Sequence, residues 1–280
     1  MSDKFGEIFK KVASEKKTHL SERKLLKNIR KGFENQEFKM YLQFIVDSKE
    51  GKISSAETLS RWENSSGEVV FPGAYIGIME KSGLITRFDY YMFEKVCQKL
   101  SEWKDSELSD VSLSCNLTRI TISEKDFAEK IEEISNKYDF DRSKLVIEIT
   151  EDSLEKNLVV AMFNIIKIKK LGFRIALDDI GSGYTSLVSL CEYPIDVVKI
   201  DRGVLLRTGN ERGKALLSGI IALAHKLDMG VICEGVETVE QNKLVSKSKC
   251  DYIQGWYYAK ALPLEECEPF IENHYARCFR

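Results

Sequence analysis

Residues 144–201 contain, in succession, KLVIEIT (144–150), LVVAMFNIIKIKKL (158–171), FRIALDDI (173–180) and DVVKID (196–201). The first, third and fourth runs are short, apolar and rich in β-branched residues. The second is longer and spaces its apolar residues by three and four, which predicts a helix between strands. Strand, helix, strand is the unit of a parallel sheet, because parallel neighbours need a crossover long enough to hold a helix. The near-continuous apolar character of these strands is expected where helices cover one face and packed side chains fill the other.

Further strands are predicted at FKMYLQFIV (38–46), SAETLSRW (55–62), VSLSCNLT (111–118), GVICEGV (230–236) and DYIQGWYY (251–258), making eight. FAEKIEEISNKY (127–138) and KALLSGIIALAHKL (214–227) read as helices. Between the first two strands, DSKEGKIS is too short for a helical crossover, so they pair as an antiparallel hairpin. PGAYIGIMEKSG and RFDYYMFEKVCQKLSEW then read as two amphipathic helices that restore the alternation. The expected fold class is α/β, a TIM-like (β/α)8 barrel with the first strand antiparallel. With 280 residues, 43% of them hydrophobic, the chain suffices for one such core. Residues 1–22, rich in Lys, Ser and Glu, read as a lead-in helix or linker, and 23–280 as the barrel.

Composition narrows the function. The 42 basic and 44 acidic residues leave a formal net charge of -2, without the positive field that a polymeric nucleic-acid partner needs. No apolar run approaches the roughly 18–20 residues of a membrane span, and the N-terminus lacks a signal-peptide apolar stretch. A cytoplasmic chain without a membrane span is expected. Seven cysteines without a C-x-x-C pair indicate neither a disulfide framework nor a zinc site. His19, His225 and His274 fall in a charged tail, a helix interior and the C-terminal end, so no base is evident for a catalytic thiol.

The informative residues interrupt the apolar runs: Glu57, Asn116, Glu148, Asp178 with Asp179, Lys199, Asp201, Glu234 and Gln254. Singly, each is well explained as a polar group satisfied by nearby backbone or an ion pair. Together they demand more, because C-terminal strand ends of a parallel barrel meet at one mouth. Carboxylates gathered there repel one another unless a cation lies among them, and all-oxygen ligation without Cys or His points to Mg²⁺ or Mn²⁺. Asp178 and Asp179 face opposite ways in a regular strand, yet a turn at the strand end lets both address metals. A bridging carboxylate would hold two ions about 3.5–4 Å apart, the spacing of in-line phosphodiester cleavage. The following GSGYTSL offers a permissive loop, and Lys199, between Val198 and Ile200, needs an anionic partner.

From about Arg23 to the C-terminal helix, the chain resembles the EAL-domain phosphodiesterases that linearise cyclic di-GMP. The resemblance rests on seven motifs in order: SAETLSRW at E-A-L-x-R-W, SCNLT at the strand-end Asn, IEITE at E-x-T-E, ALDDIGSGYTSL at D-D-F-G-T-G-x-S-S-L, VKIDR at K-I-D, CEGVE at A-E-G-V-E, and IQGWYYAKALP at Q-G-Y-x-x-x-K-P-L-P. It implies that Glu57, Asn116, Glu148 and Asp178 ligate one Mg²⁺ or Mn²⁺, and that Asp178 and Asp179 serve a second. Lys199 and Glu234 would orient or deprotonate the attacking water. Arg61 would face a substrate phosphate, Gln254 would contact substrate or solvent on the metal, and Leu59 and Asp201 would complete the substrate site. Glu151 would hold the loop after Asp179, with Glu237 a supporting acid. The resemblance also implies a homodimer and hydrolysis of cyclic di-GMP to linear pGpG. Departures are Thr58 for the signature Ala, expected to cost little, Ile180 and Ser182 for the loop Phe and Thr, and Phe44 and Ala261 for two prolines. The altered loop motivates an alternative: a weak or inactive receptor that binds cyclic di-GMP and passes the signal on.

Overall fold

A computed structural model of the chain describes residues 22–150, 158–182 and 189–278, the side chains of 158, 189 and 272–278 excepted. Among the described residues there are ten strands: β1 (Phe38–Asp47), β2 (Ile53–Glu63), β3 (Val69–Val70), β4 (Ser112–Asn116), β5 (Leu145–Thr150), β6 (Arg174–Ile180), β7 (Val197–Ile200), β8 (Gly230–Cys233), β9 (Tyr252–Gln254) and β10 (Leu262–Pro263). The chain divides into two compact units, Met1–Lys39 with Ser60–Ile85, and Met40–Leu59 with Thr86–Arg280.

The larger unit holds a closed barrel. From β2 through β4 to β9, each strand pairs parallel with the next. β1 pairs β9 antiparallel and also pairs β2, which closes the ring at eight strands. The hairpin expected from the short first connection is formed: Asp47 Oδ1 accepts from the amides of Lys49 and Glu50, and Gly51 turns the chain at φ 69. Helices Leu158–Lys170 and Glu211–Lys226 occupy the crossovers read as helical.

Several boundaries differ from expectation for local reasons. The run 196–201 shortens to Val197–Ile200 because Asp201 caps the next helix, Arg202–Leu206, accepting from Gly203 N at 2.7 Å. The run 251–258 stops at Gln254 because Gly255 lies against the Val236 backbone, where an added Cβ would fall 2.0 Å from the carbonyl oxygen. PGAYIGIMEKSG splits into a 3₁₀ turn, Pro72–Ala74, and a helix, Ile76–Ser82. β3 and β10, two residues each, are too short to leave a periodic signal.

Inside the barrel, Ile45, Val146, Ala176, Val197 and Ile232 form one apolar layer with Tyr252 packed against it. Side chains two apart in a strand share a face. The next inward residues toward the strand ends are therefore Glu148, Asp178, Lys199, Glu234 and Gln254, so the polar set is one layer of the barrel. Among the described side chains, five cysteines are buried and Cys191 is exposed. Burial pushes the Cys97, Cys115, Cys233, Cys250 and Cys267 thiols up, the state of inert core residues.

The smaller unit packs rings around the end of β2. Phe38 stacks on Trp62 at 5.7 Å and meets Tyr75 edge-on at 5.5 Å, while Trp62 Nε1 donates to Glu37 Oε2 at 2.8 Å. No described helix is long and apolar enough to cross a membrane.

Candidate active site

Lys199 is the centre of the polar layer and is 0% exposed. Its ammonium lies 2.7 Å from Glu234 Oε1, 2.8 Å from Glu148 Oε2, 3.2 Å from Glu57 Oε2 and 3.5 Å from Asp178 Oδ1. One ammonium thus faces four carboxylates, contributed by β2, β5, β6 and the residue that follows β8. A buried charge needs such partners, but one cation does not balance four anions.

The imbalance appears in the protonation of the acids. Glu57 is buried, which alone would raise its pKa, but attraction to Lys199 and hydrogen bonds from Gln254, Asn116 and Lys199 hold it below the usual range. Gln254 Nε2 donates to its Oε2 at 2.7 Å and Asn116 Nδ2 to its Oε1 at 2.9 Å. Glu148 and Glu234, buried with fewer donors, are pushed up to about 8, since desolvation and neighbouring acids outweigh the pull of Lys199. Burial and its neighbours likewise raise Asp178. Lys199 goes well above its ordinary value, because the surrounding carboxylates overcome its desolvation.

The two aspartates do turn toward one site. Pairing of β6 with β7 shifts register between Leu177 and Ile180, and Asp179 adopts φ 64, in the left-handed region. That break in the pleat places carboxylate oxygens of Asp178, Asp179 and Glu234 within 4.8 Å of one another. Burial raises the Asp179 pKa, helped by Asp178 and Asp201. The following Gly181, at φ 91, packs so closely that an added Cβ would fall 2.3 Å from Val204 Cγ2. A hard cation suits this set: the donors are all oxygens, all three acids are raised and so have protons to give up, and the buried Gln254 Oε1 has no hydrogen-bond partner among the described residues.

Other expected residues lie as follows. Asp201 caps its helix and faces Asp179, and Leu59 is half-buried on β2. Arg61 belongs to the smaller unit, where it donates to Ser60 O at 2.8 Å and lies over the Phe71 ring at 4.7 Å. Glu237 pairs with Arg202 at 3.1 Å. Glu151 lies outside the described residues. Thr58 departs from expectation: its Oγ1 is buried without a partner among the described residues, a cost the alanine of the motif would not carry.

Two residues were missed. Gln43 lines the cleft above the acids and its Oε1 accepts from Gln254 Nε2 at 3.3 Å. Because β1 runs antiparallel, its polar residue precedes the apolar Ile45 instead of following it, so strand parity read in reverse would have found it. Arg202 lines the same cleft and carried no periodic signal.

A barrel of mostly parallel strands with a lysine inside a ring of strand-end carboxylates defines a site suited to a hard cation. The EAL domain model matches residues 26–261, and the chain belongs to that family. It is 31% identical over 245 residues, 87% of this chain and 30% of the other, to the signaling protein YkoW of Bacillus subtilis. It is 25% identical to the cyclic di-GMP phosphodiesterase NbdA of Pseudomonas aeruginosa, over 88% of this chain and 32% of that protein. The chain thus spans about a third of the length of these curated relatives. Among solved structures, the EAL enzyme Bd1971 bound to cAMP and cyclic di-GMP superposes with TM-score 0.85 at 28% identity, covering 91% of this chain and 70% of that one. The PaMucR phosphodiesterase in complex with c-di-GMP gives 0.82 at 26%, covering 87% and 99%.

Proposed function

We propose that this chain is a metal-dependent phosphodiesterase that hydrolyses cyclic di-GMP to linear pGpG. The observation that carries the reading is the single buried ammonium among four carboxylates beside the Asp178, Asp179 and Glu234 cluster. Named relatives that act on or bind cyclic di-GMP supply the substrate.

Glu57, Asn116, Glu148, Asp178 and Asp179 would hold Mg²⁺ or Mn²⁺, with Glu234 near enough to join them. Bound there, the ions supply Lewis-acid polarisation of the diester and a nucleophile at neutral pH. Lys199, fixed between Glu148 and Glu234, orients the attacking water. With cations held by the neighbouring acids, Glu234 would give up its raised proton and be left a carboxylate able to take one from water, whereas Lys199, held well above its ordinary value, keeps its own. The water oxygen forms a bond to one phosphorus, the P–O3′ bond breaks, and the 3′ oxygen leaves with a proton. Arg61, Leu59, Gln254 and Asp201 are the proposed substrate contacts. We place the protein in the cytoplasm and as a homodimer; exposed Val159 and Phe163 on helix Leu158–Lys170 support an apolar contact.

Incubation of purified protein with cyclic di-GMP and Mg²⁺ or Mn²⁺ should give pGpG, and Glu57→Ala should lose at least about 100-fold of the rate while staying folded by circular dichroism. No product at high enzyme concentration overturns the reading. Binding without turnover would point to the receptor alternative.

A further inference from the structure

The cleft above the acidic layer has a volume of about 270 Å³ and is lined by Glu57, Asp178, Glu234, Glu237, Arg202 and Trp256, among others. A cyclic dinucleotide brings two phosphates to a wall of carboxylates. Arg202 is the one Lys or Arg among the described residues that line the cleft. Lys199 lies beneath, with its ammonium committed to four carboxylates.

Arg202 combines a located stem with a half-exposed head. Gly235, at φ 67, offers bare backbone to the stem: an added Cβ would lie 2.5 Å from Arg202 Cγ. The side chain is 47% exposed, and its ion pair is with Glu237, Nη2 to Oε2 at 3.1 Å, not with Asp178, Asp179 or Glu234. An exposed pair of this kind holds its partners weakly, so an incoming anion can exchange with the carboxylate. A guanidinium presents paired donors that match two phosphate oxygens. The cations proposed for the acid cluster would take the phosphate to be cleaved, and Arg202, which pairs outside that cluster, is left to meet the other.

Resting on the function above, we propose that Arg202 is a specificity-determining residue: its guanidinium exchanges Glu237 for the second, uncleaved phosphate of a cyclic dinucleotide. A diester with a single phosphate has nothing to offer it. The test compares kcat/KM for cyclic di-GMP with that for bis(4-nitrophenyl) phosphate in wild type, Arg202→Gln, which keeps the stem, and Arg202→Lys, which keeps the charge. Thermal unfolding checks that each variant is folded. The cyclic-to-aryl ratio should fall at least about tenfold in Arg202→Gln, through KM, and less in Arg202→Lys. A ratio within about twofold of wild type, or equal losses on both esters, overturns the proposal while leaving the phosphodiesterase reading intact. If wild type binds cyclic di-GMP without cutting it, Kd replaces the ratio and must rise by the same factor. Neither binding nor turnover in wild type sinks both ideas.

Discussion

Thr58 and Glu57 are neighbours on β2 with opposite fates. Strand alternation sends Glu57 inward, where three N–H donors satisfy it, and leaves the Thr58 hydroxyl buried without a partner among the described residues. A buried hydroxyl that makes no hydrogen bond costs free energy that a methyl of the same shape does not. Thr58→Val should therefore raise stability by about 1 kcal/mol, read as a higher urea midpoint at unchanged m. An unchanged or lower midpoint would show that the hydroxyl is satisfied in solution. The acids around Lys199 show the complementary effect: the carboxylate given the most donors ionises easily, while Glu148 and Glu234 hold their protons to about pH 8.

Among the elements, the strand-end segments are held by distinct devices. After β4, Thr118 N, Thr118 Oγ1 and Thr121 Oγ1 all donate to Asp89 Oδ2, at 2.9, 2.6 and 2.6 Å, from a buried position on helix Ile85–Trp103. That clamp lies two residues beyond Asn116, which holds Glu57. Asp89→Ala should cost about 2–4 kcal/mol by chemical denaturation, because three donors lose a charged acceptor inside the protein. A loss under about 1 kcal/mol would mean the segment is held by its backbone alone. After β6, the device is backbone strain at Asp179 followed by a tightly packed Gly181, which a strand-period reading of ALDDI does not reveal.

Across the molecule, the buried acids couple stability to pH and to cations. Glu148 and Glu234 are pushed up to about 8 from the 4.5 of an exposed carboxyl, so the folded state binds more protons than the unfolded chain between these values. Their contribution is fully present below about pH 4.5 and is lost as pH rises through about 8. Without divalent cations, Tm should fall steadily from pH 5.5 to 8.5. Added Mg²⁺ should restore it most at the alkaline end, because ligation replaces protons. Calorimetric titration should show proton release on binding, with affinity rising toward about tenfold per pH unit below pH 8. A cation-free Tm that does not decline over this range would contradict the assigned protonation.

The order of strands, the hairpin start and the inward polar layer were legible in the sequence, because strand parity and crossover length are local properties. Strand periodicity alone makes Glu148, Asp178, Lys199 and Glu234 one face of the barrel. Which groups meet on that face depends on closure. Only the ring formed by β1 with β2 and β9 brings Glu57 and Gln254, nearly two hundred residues apart in the chain, to 2.7 Å. The reversed direction of β1 hid Gln43, and the bare backbone at Gly235 that locates Arg202 has no sequence period. The division of protons among the acids was likewise decided in three dimensions. It follows from distances to one buried ammonium and from the count of donors around each carboxylate, and neither exists until the barrel closes.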